Sequence, residues 1–329
     1  MNIQEIRKGL YRIGIPVPFP MKYVYCYLFR SGNEAVLLDV GFNYPKAKEA
    51  WNDIFHELDL TPTQIKTIYL THFHPDHSGL AGWMQELTGA PIYMHLIDIA
   101  MFKRVWEEDS TQSIKVGNMS LANGVPNQLS KDIVKHMDDL QKHVRPLPIL
   151  TPLNDSHVVI DGDTWEVIHT PGHSDGHICF YQKDEQLLLV GDHILDKITP
   201  NISLWPESDP NPLVHYLSSL EKVRQLDVRI ALSAHGDIIE DVSTRIDELI
   251  RHHQSRLDGM LGAVQKSTAY EVAKETFDYK TLTPHQWRFA MAETLAHLEY
   301  LVNDGKLTKH YVDESVNDQN EPIHYYECV

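Results

Sequence analysis

The sequence predicts a layered α/β protein. Short apolar strands alternate with helical repeats over residues 9–240, and apolar residues make up 42% of the chain, enough for a substantial core. The third sign is where those strands stop: several end abruptly in histidine or aspartate beside glycine or proline.

In chain order, strands are expected at Leu10 to Ile13, Tyr23 to Phe29 and Ala35 to Val40, with Ser31-Gly32-Asn33-Glu34 as the hairpin turn between the last two. Near its end, Leu38-Asp39-Val40-Gly41 interrupts an apolar run with one carboxylate. Asp39 either caps the next turn or receives the free N–H of a ligand histidine. Helical spacing follows from Tyr44 to Leu58, then the strand Ile65 to Leu70, a helix from Ser78 to Leu87 and a strand at Ile92 to His95. Residues 96–150 break the rhythm. They are polar, helical at Ile97 to Val105 and Ser130 to His143, with Gly117, Asn118, Asn123-Gly124 and Pro126 between, and read as an insertion. It reads either as a pocket wall, for which Trp106 and other apolar residues supply surface, or as a helical pair packed on the outside of the domain. Strands resume at His157 to Ile160, Thr164 to His169, Ile178 to Gln182, Leu187 to Val190 and from Ile230, with a helix at Val214 to Gln225. The proline-rich loop that precedes this helix either walls the site, with Ile202 and Trp205 as apolar contacts, or is only a long connector. From residue 242 the order is three helices and two strands, a winged-helix-like arrangement, so the expected division is 1–241 and 242–329.

Between the strand at Ile65 and the helix after it lies Thr71-His72-Phe73-His74-Pro75-Asp76-His77-Ser78-Gly79, three imidazoles and a carboxylate within six residues. Imidazole and carboxylate together suit zinc, iron or manganese. His72 and His74, two apart in extended backbone, face one way, while Asp76 and His77 lie past the proline turn and can address a second ion. Three more strand ends present His173 (Thr170-Pro171-Gly172-His173), Asp192 (Val190-Gly191-Asp192) and His235 (Ala234-His235-Gly236). Behind the first motif they complete two ligand sets. His177 and His193 flank the proposed ligands and read as structural or supporting groups rather than metal donors.

This series, His72, His74, Asp76, His77, His173, Asp192 and His235 with Asp39, resembles the metallo-β-lactamase superfamily, and its ligand pattern is similar to that of glyoxalase II-like hydrolases. The resemblance covers residues 9–240. It implies an αββα sandwich, one ion on His72, His74 and His173, a second on Asp76, His77 and His235, and Asp192 bridging them. It further implies two divalent transition metals, zinc above iron or manganese, and a metal-bridging hydroxide attacking a small carbonyl substrate, a thioester or lactone. Asp76 would orient that hydroxide and carry a proton to the leaving group. β-Lactamases of the commonest zinc type have Arg in place of His77, so an antibiotic-degrading role is not expected. Two alternatives share much of the pattern: endoribonucleases with a similar helical tail, and mononuclear iron sulfur dioxygenases.

Charge orders these readings. The chain carries a formal −17, and residues 243–329 hold nine Lys plus Arg against fourteen Asp plus Glu. RNA binding needs basic residues to displace counterions along the backbone. Lys131, Lys135, Lys142 and Arg145 of the insertion alternate with Asp132, Asp138 and Asp139, so nucleic acid is disfavoured and a small-molecule substrate expected. Three scattered cysteines, no leader-like N-terminus and no long apolar run predict a cytoplasmic protein with no membrane partner.

Overall fold

A computed structural model describes residues 2–316 and 322–329; part of the expected C-terminal region, 317–321, therefore lies outside the described residues. Two mixed sheets face each other. The first runs in chain order, β1 (Ile3–Arg7), β2 (Leu10–Pro16), β3 (Tyr23–Ser31), β4 (Glu34–Leu38), β5 (Ile65–Tyr69), β6 (Ile92–His95) and β7 (Leu150–Leu153), antiparallel up to β4 and parallel beyond it. The second holds β8 (His157–Ile160), β9 (Asp163–His169), β10 (Ile178–Gln182), β11 (Leu187–Gly191) and β12 (Ile230–Ser233), with only the β11–β12 pair parallel.

The period-2 alternation of each strand explains why these runs are apolar throughout. In β10, Ile178 and Phe180 point into the space between the sheets, where they join Tyr27, Phe29, Trp165 and Leu232. Their neighbours Cys179 and Tyr181 point the other way, into the layer of helices. Over the first sheet lie α1 (Pro45–Glu57), whose Ala47, Trp51, Ile54 and Phe55 are buried, α2 (Pro75–Ser78) and α3 (Ala81–Thr88). The insertion forms α4 (Leu96–Trp106), α5 (Gln112–Ala122) and α6 (Asn127–Gln141). Over the second sheet lie α7 (Pro212–Arg224) and α8 (Val242–Ala263), followed by α9 (Ala269–Thr276) and α10 (Pro284–Asn303). A third sheet, ordered β13 (Lys266–Ser267), β15 (Pro322–Cys328), β14 (Leu307–Val316), closes the C-terminal region. The apolar core beneath α7 and α8 runs on without a break into α9 and α10 through Leu257, Val272, Trp287 and Leu298.

Sequence periodicity misses three strands and one helix. β1 alternates poorly and forms a half-exposed edge; β7 contains Pro152, which an edge strand tolerates; β13 is two residues long. The expected irregular middle of the insertion is the helix α5. Gly117 is there for packing rather than for a turn, because a Cβ on it would lie 2.6 Å from Val134 Cγ2 on α6. Gly117→Ala therefore sets a helix-propensity gain of about 1 kcal/mol against an overpacking cost of about 1–3 kcal/mol. Net destabilisation of about 1 kcal/mol is expected, read as a lower denaturation midpoint at unchanged denaturant slope. The helix expected from Ser78 to Leu87 is also interrupted, at Gly79-Leu80, where Gly79 lets the backbone of His143 approach closely.

Candidate metal centre

Strand direction gathers the site. β4 and β5 are parallel, as are β11 and β12, and β9 is turned twice relative to β11, so all these strands end at one edge of the sandwich. Beyond those ends stand Asp39, His72, His173, Asp192 and His235, while α2, opened by Pro75, supplies Asp76 and His77.

Two donor groups result: His72, His74 and His173 in one, Asp76, His77, Asp192 and His235 in the other. Asp192 faces both, with Oδ2 3.5 Å from His173 Nε2 and Oδ1 3.4 Å from His77 Nε2 and 3.5 Å from His235 Nε2. Asp76 Oδ2 is 3.2 Å from His235 Nε2.

These residues fit a pair of cations. His74 Nδ1 lies 3.0 Å from His72 Nε2 and 2.9 Å from His173 Nε2, a convergence of three ring nitrogens that one shared proton cannot satisfy. Burial first, and then neighbouring imidazoles, holds His72 and His74 well below the usual histidine range; burial also lowers His173. Neutral imidazole is the form that donates a lone pair to a metal. In the second group His77 Nε2 and His235 Nε2 face Asp192 Oδ1 at 3.4 and 3.5 Å, yet none of these three buried atoms makes a well-aligned hydrogen bond among the described residues. Burial opposes charge on His77, but Asp192, Asp39 and Asp76 raise it; burial likewise opposes charge on Asp76, which His77 and His235 hold down to about 2. The cluster is thus an anionic cradle.

The outward nitrogens are fixed as metal-ligating histidines require. His77 Nδ1 is 2.8 Å from Asp39 Oδ2, His173 Nδ1 donates to Asn201 O at 2.9 Å, and His235 Nδ1 donates to Tyr23 O at 3.1 Å. Asp39 adopts a left-handed φ of 59° and also accepts from Thr71 N and Oγ1, tying β4 to the histidine loop. His177 belongs to neither donor group: its ring lies 5.2 Å from that of His72, and its Nε2 accepts from Asp192 N at 3.2 Å, so Nδ1 carries the proton and meets Thr170 Oγ1.

One residue that sequence reading passes over is Asp98, in the first turn of α4. It is fully buried and accepts from Phe73 N, Ser174 Oγ and Gly176 N at 2.9, 2.9 and 2.6 Å, joining the loop of His72 and His74 to the turn of His173. Burial pushes its carboxyl up to about 7 against the pull of those donors. An aspartate at a helix start ordinarily signals capping, so no sequence cue set it apart.

A cavity of about 660 Å³ opens onto His74, Asp76, His173, Asp192 and His235. The insertion walls it with Trp106, Met137 and Leu140, the loop before α7 with Trp205, and the C-terminal region with His285, Arg288 and Phe289 from α10. Trp106 is held there by Nε1 donating to Phe73 O at 3.2 Å. Ile202 is a correction: it is fully buried in the core under α7 and α10 and does not line the cavity. Its neighbour Asn201 reaches both sides, since Nδ2 donates to Glu293 Oε2 of α10 at 2.8 Å while its carbonyl holds His173.

Fold and donor set together define a binuclear-type metal site of histidines and aspartates at one edge of a two-sheet sandwich. Residues 20–235 match the metallo-beta-lactamase superfamily and residues 257–317 the metallo-beta-lactamase-like C-terminal domain. The chain belongs to the metallo-beta-lactamase superfamily. It is similar to the metallo-beta-lactamase family protein TTHA1429 of Thermus thermophilus, at 34% identity and a TM-score of 0.86 over 98% of this chain and 100% of that one. The Probable metallo-hydrolase YqjP of Bacillus subtilis is 25% identical over 92% of this chain and 95% of its own length. The lactamase-like protein nscB of Aspergillus fumigatus is 28% identical over 73% of this chain; the match spans only 56% of that longer protein.

Proposed function

We propose that the protein hydrolyses a small carbonyl substrate, a thioester or a lactone, with two divalent transition ions, zinc suiting the donor set best. The carrying observation is the cavity: it leads directly onto both donor groups, and aromatic and aliphatic side chains from three separate segments wall it. Single-stranded RNA would need a basic track. The arginines on the cavity wall are Arg104, paired with Glu207, and Arg288.

When bound, the ions would polarise the carbonyl oxygen and lower the pKa of a shared water toward about 7. Asp76 reaches the cavity beside His235, where its carboxylate can orient the attacking water and move a proton to a leaving thiolate or alkoxide. Trp106, Trp205 and Phe289 keep bulk water from the carbonyl and hold the apolar part of the substrate. A cytoplasmic setting suits this chemistry. Cys26 and Cys179 are buried free thiols, and no helix among the described residues is long and apolar enough to cross a membrane.

Elemental analysis of metal-replete protein is expected to give close to two transition ions per chain. A value near one, with iron and oxygen uptake on a persulfide, would replace hydrolysis by sulfur oxidation. A panel of thioesters, lactones, phosphodiesters and a short single-stranded RNA, run at two salt concentrations, is expected to show metal-dependent acyl hydrolysis with little salt dependence. Salt-sensitive RNA cleavage without acyl hydrolysis would overturn the assignment.

A further inference from the structure

The cavity contains a cation without a counterion. Arg288 projects from α10 into it, packs against the rings of Phe289 at 4.4 Å and Trp205 at 5.4 Å, and forms no ion pair with any described residue. Its Nε is buried without a hydrogen-bond partner. Ring faces attract the guanidinium but leave its N–H edges unused, and those edges match a planar oxyanion in a two-pronged contact. The acids that line the cavity are already engaged: Glu293 with Asn201 and Arg256, and Asp76 and Asp192 with the donor histidines.

Two more donors stand beside it. His136 and His285, rings 4.7 Å apart, each have a buried Nδ1 without a partner among the described residues, and both line the cavity. His285 is within electrostatic reach of both Arg288 and Asp76, so the guanidinium and the metal donors act on the same space. Burial, then Arg288, lowers both histidines, His285 to about 3, which leaves them neutral. One positive charge between neutral imidazoles and apolar walls matches a monoanion; a phosphate dianion would remain half uncompensated.

We propose that Arg288 receives a carboxylate carried by the substrate, assisted by His136 and His285, so that the substrate is an apolar acyl thioester or lactone bearing one carboxylate. This deepens the hydrolase reading and rests on it for the reacting bond, though not for the anion site.

The test uses metal-replete, full-length protein and calorimetric binding of octanoate, octanamide and octyl phosphate. Arg288→Gln is expected to weaken octanoate roughly ten- to hundredfold, the range of a desolvated charge-assisted contact, and to leave octanamide unchanged. Arg288→Lys, which keeps the charge and loses the fork, should fall between. Matched thioesters, one ending in a carboxylate and one in its methyl ester, form a second arm: Arg288→Gln should raise KM for the acid alone with kcat held. Octanoate affinity equal in wild type and variant would sink the proposal. So would octyl phosphate depending on Arg288 more strongly than octanoate, which would assign the site to a phosphate. Arg288-dependent octanoate binding without cleavage of either thioester or a lactone would instead remove the hydrolase reading and keep the anion site; cleavage of both thioesters at equal efficiency would do the reverse. Unchanged melting temperatures of both variants separate a lost contact from a lost fold.

Discussion

Asp192→Ala is expected to abolish turnover, with a loss above about a thousandfold, and to release at least one of the two metals. The reason is its double reach: one carboxylate oxygen faces His173, the other faces His77 and His235, so truncation opens both donor groups at once. Asp192→Asn keeps the shape but presents an N–H toward one side, and should retain metal on the other. His177→Ala is the informative partner. The His177 ring bonds the backbone N–H of Asp192 and the Thr170 hydroxyl and packs 5.2 Å from the ring of His72 without joining either donor group, and its loss should reduce metal affinity and activity by about ten- to a hundredfold. Metal content by elemental analysis and kcat/KM on the same preparations decide the matter. If Asp192→Ala kept full activity and both metals, the bridging assignment would be wrong.

Asp98→Ala should produce the second largest effect, through a residue that touches no donor. Removing its carboxylate strands two backbone N–H groups and a hydroxyl in the interior, at about 1–3 kcal/mol each before relaxation. A net loss of about 2–4 kcal/mol is expected, since neighbours recover part of the cost. The site should suffer along with stability. Phe73 sits between His72 and His74, and Ser174 follows His173, so the untied segments carry the whole first donor group. Metal titration followed by calorimetry should show the affinity of one site falling while the other holds. Equal weakening of both sites would mean that Asp98 serves the fold at large.

His173, Asp192 and His235 were legible because each stands just past the end of an apolar strand, where a polar residue has little packing reason to stand, and His72, His74, Asp76 and His77 because they crowd into six residues after one such strand. The layered α/β class was legible in runs such as Leu187 to Val190, apolar on both faces, which demand cover on both sides, whereas the pair of facing sheets followed from the family resemblance. What escaped sequence reading depends on contacts between segments far apart in the chain. Arg288 and His285 sit in a helix whose pattern says only that one face is buried. Asp98 reads as a helix-start acid, and Ile202, in a loop rich in proline, reads as an apolar wall of the site although the fold tucks it into the core beneath α10. Gly117 signals a break in one dimension and a helix crossing in three.

The chain of contacts from Glu293 through Asn201 to His173 bears on how such an enzyme can be re-engineered. α10 carries groups that line the cavity, yet by way of Asn201 it also orients His173 of the first donor group. A graft of the C-terminal region from a relative would therefore import a new preference together with a new orientation for His173. Chimeras should work when positions 201 and 293 are inherited as a pair, and lose metal when the splice separates them. Modularity in this scaffold ends at that hydrogen bond.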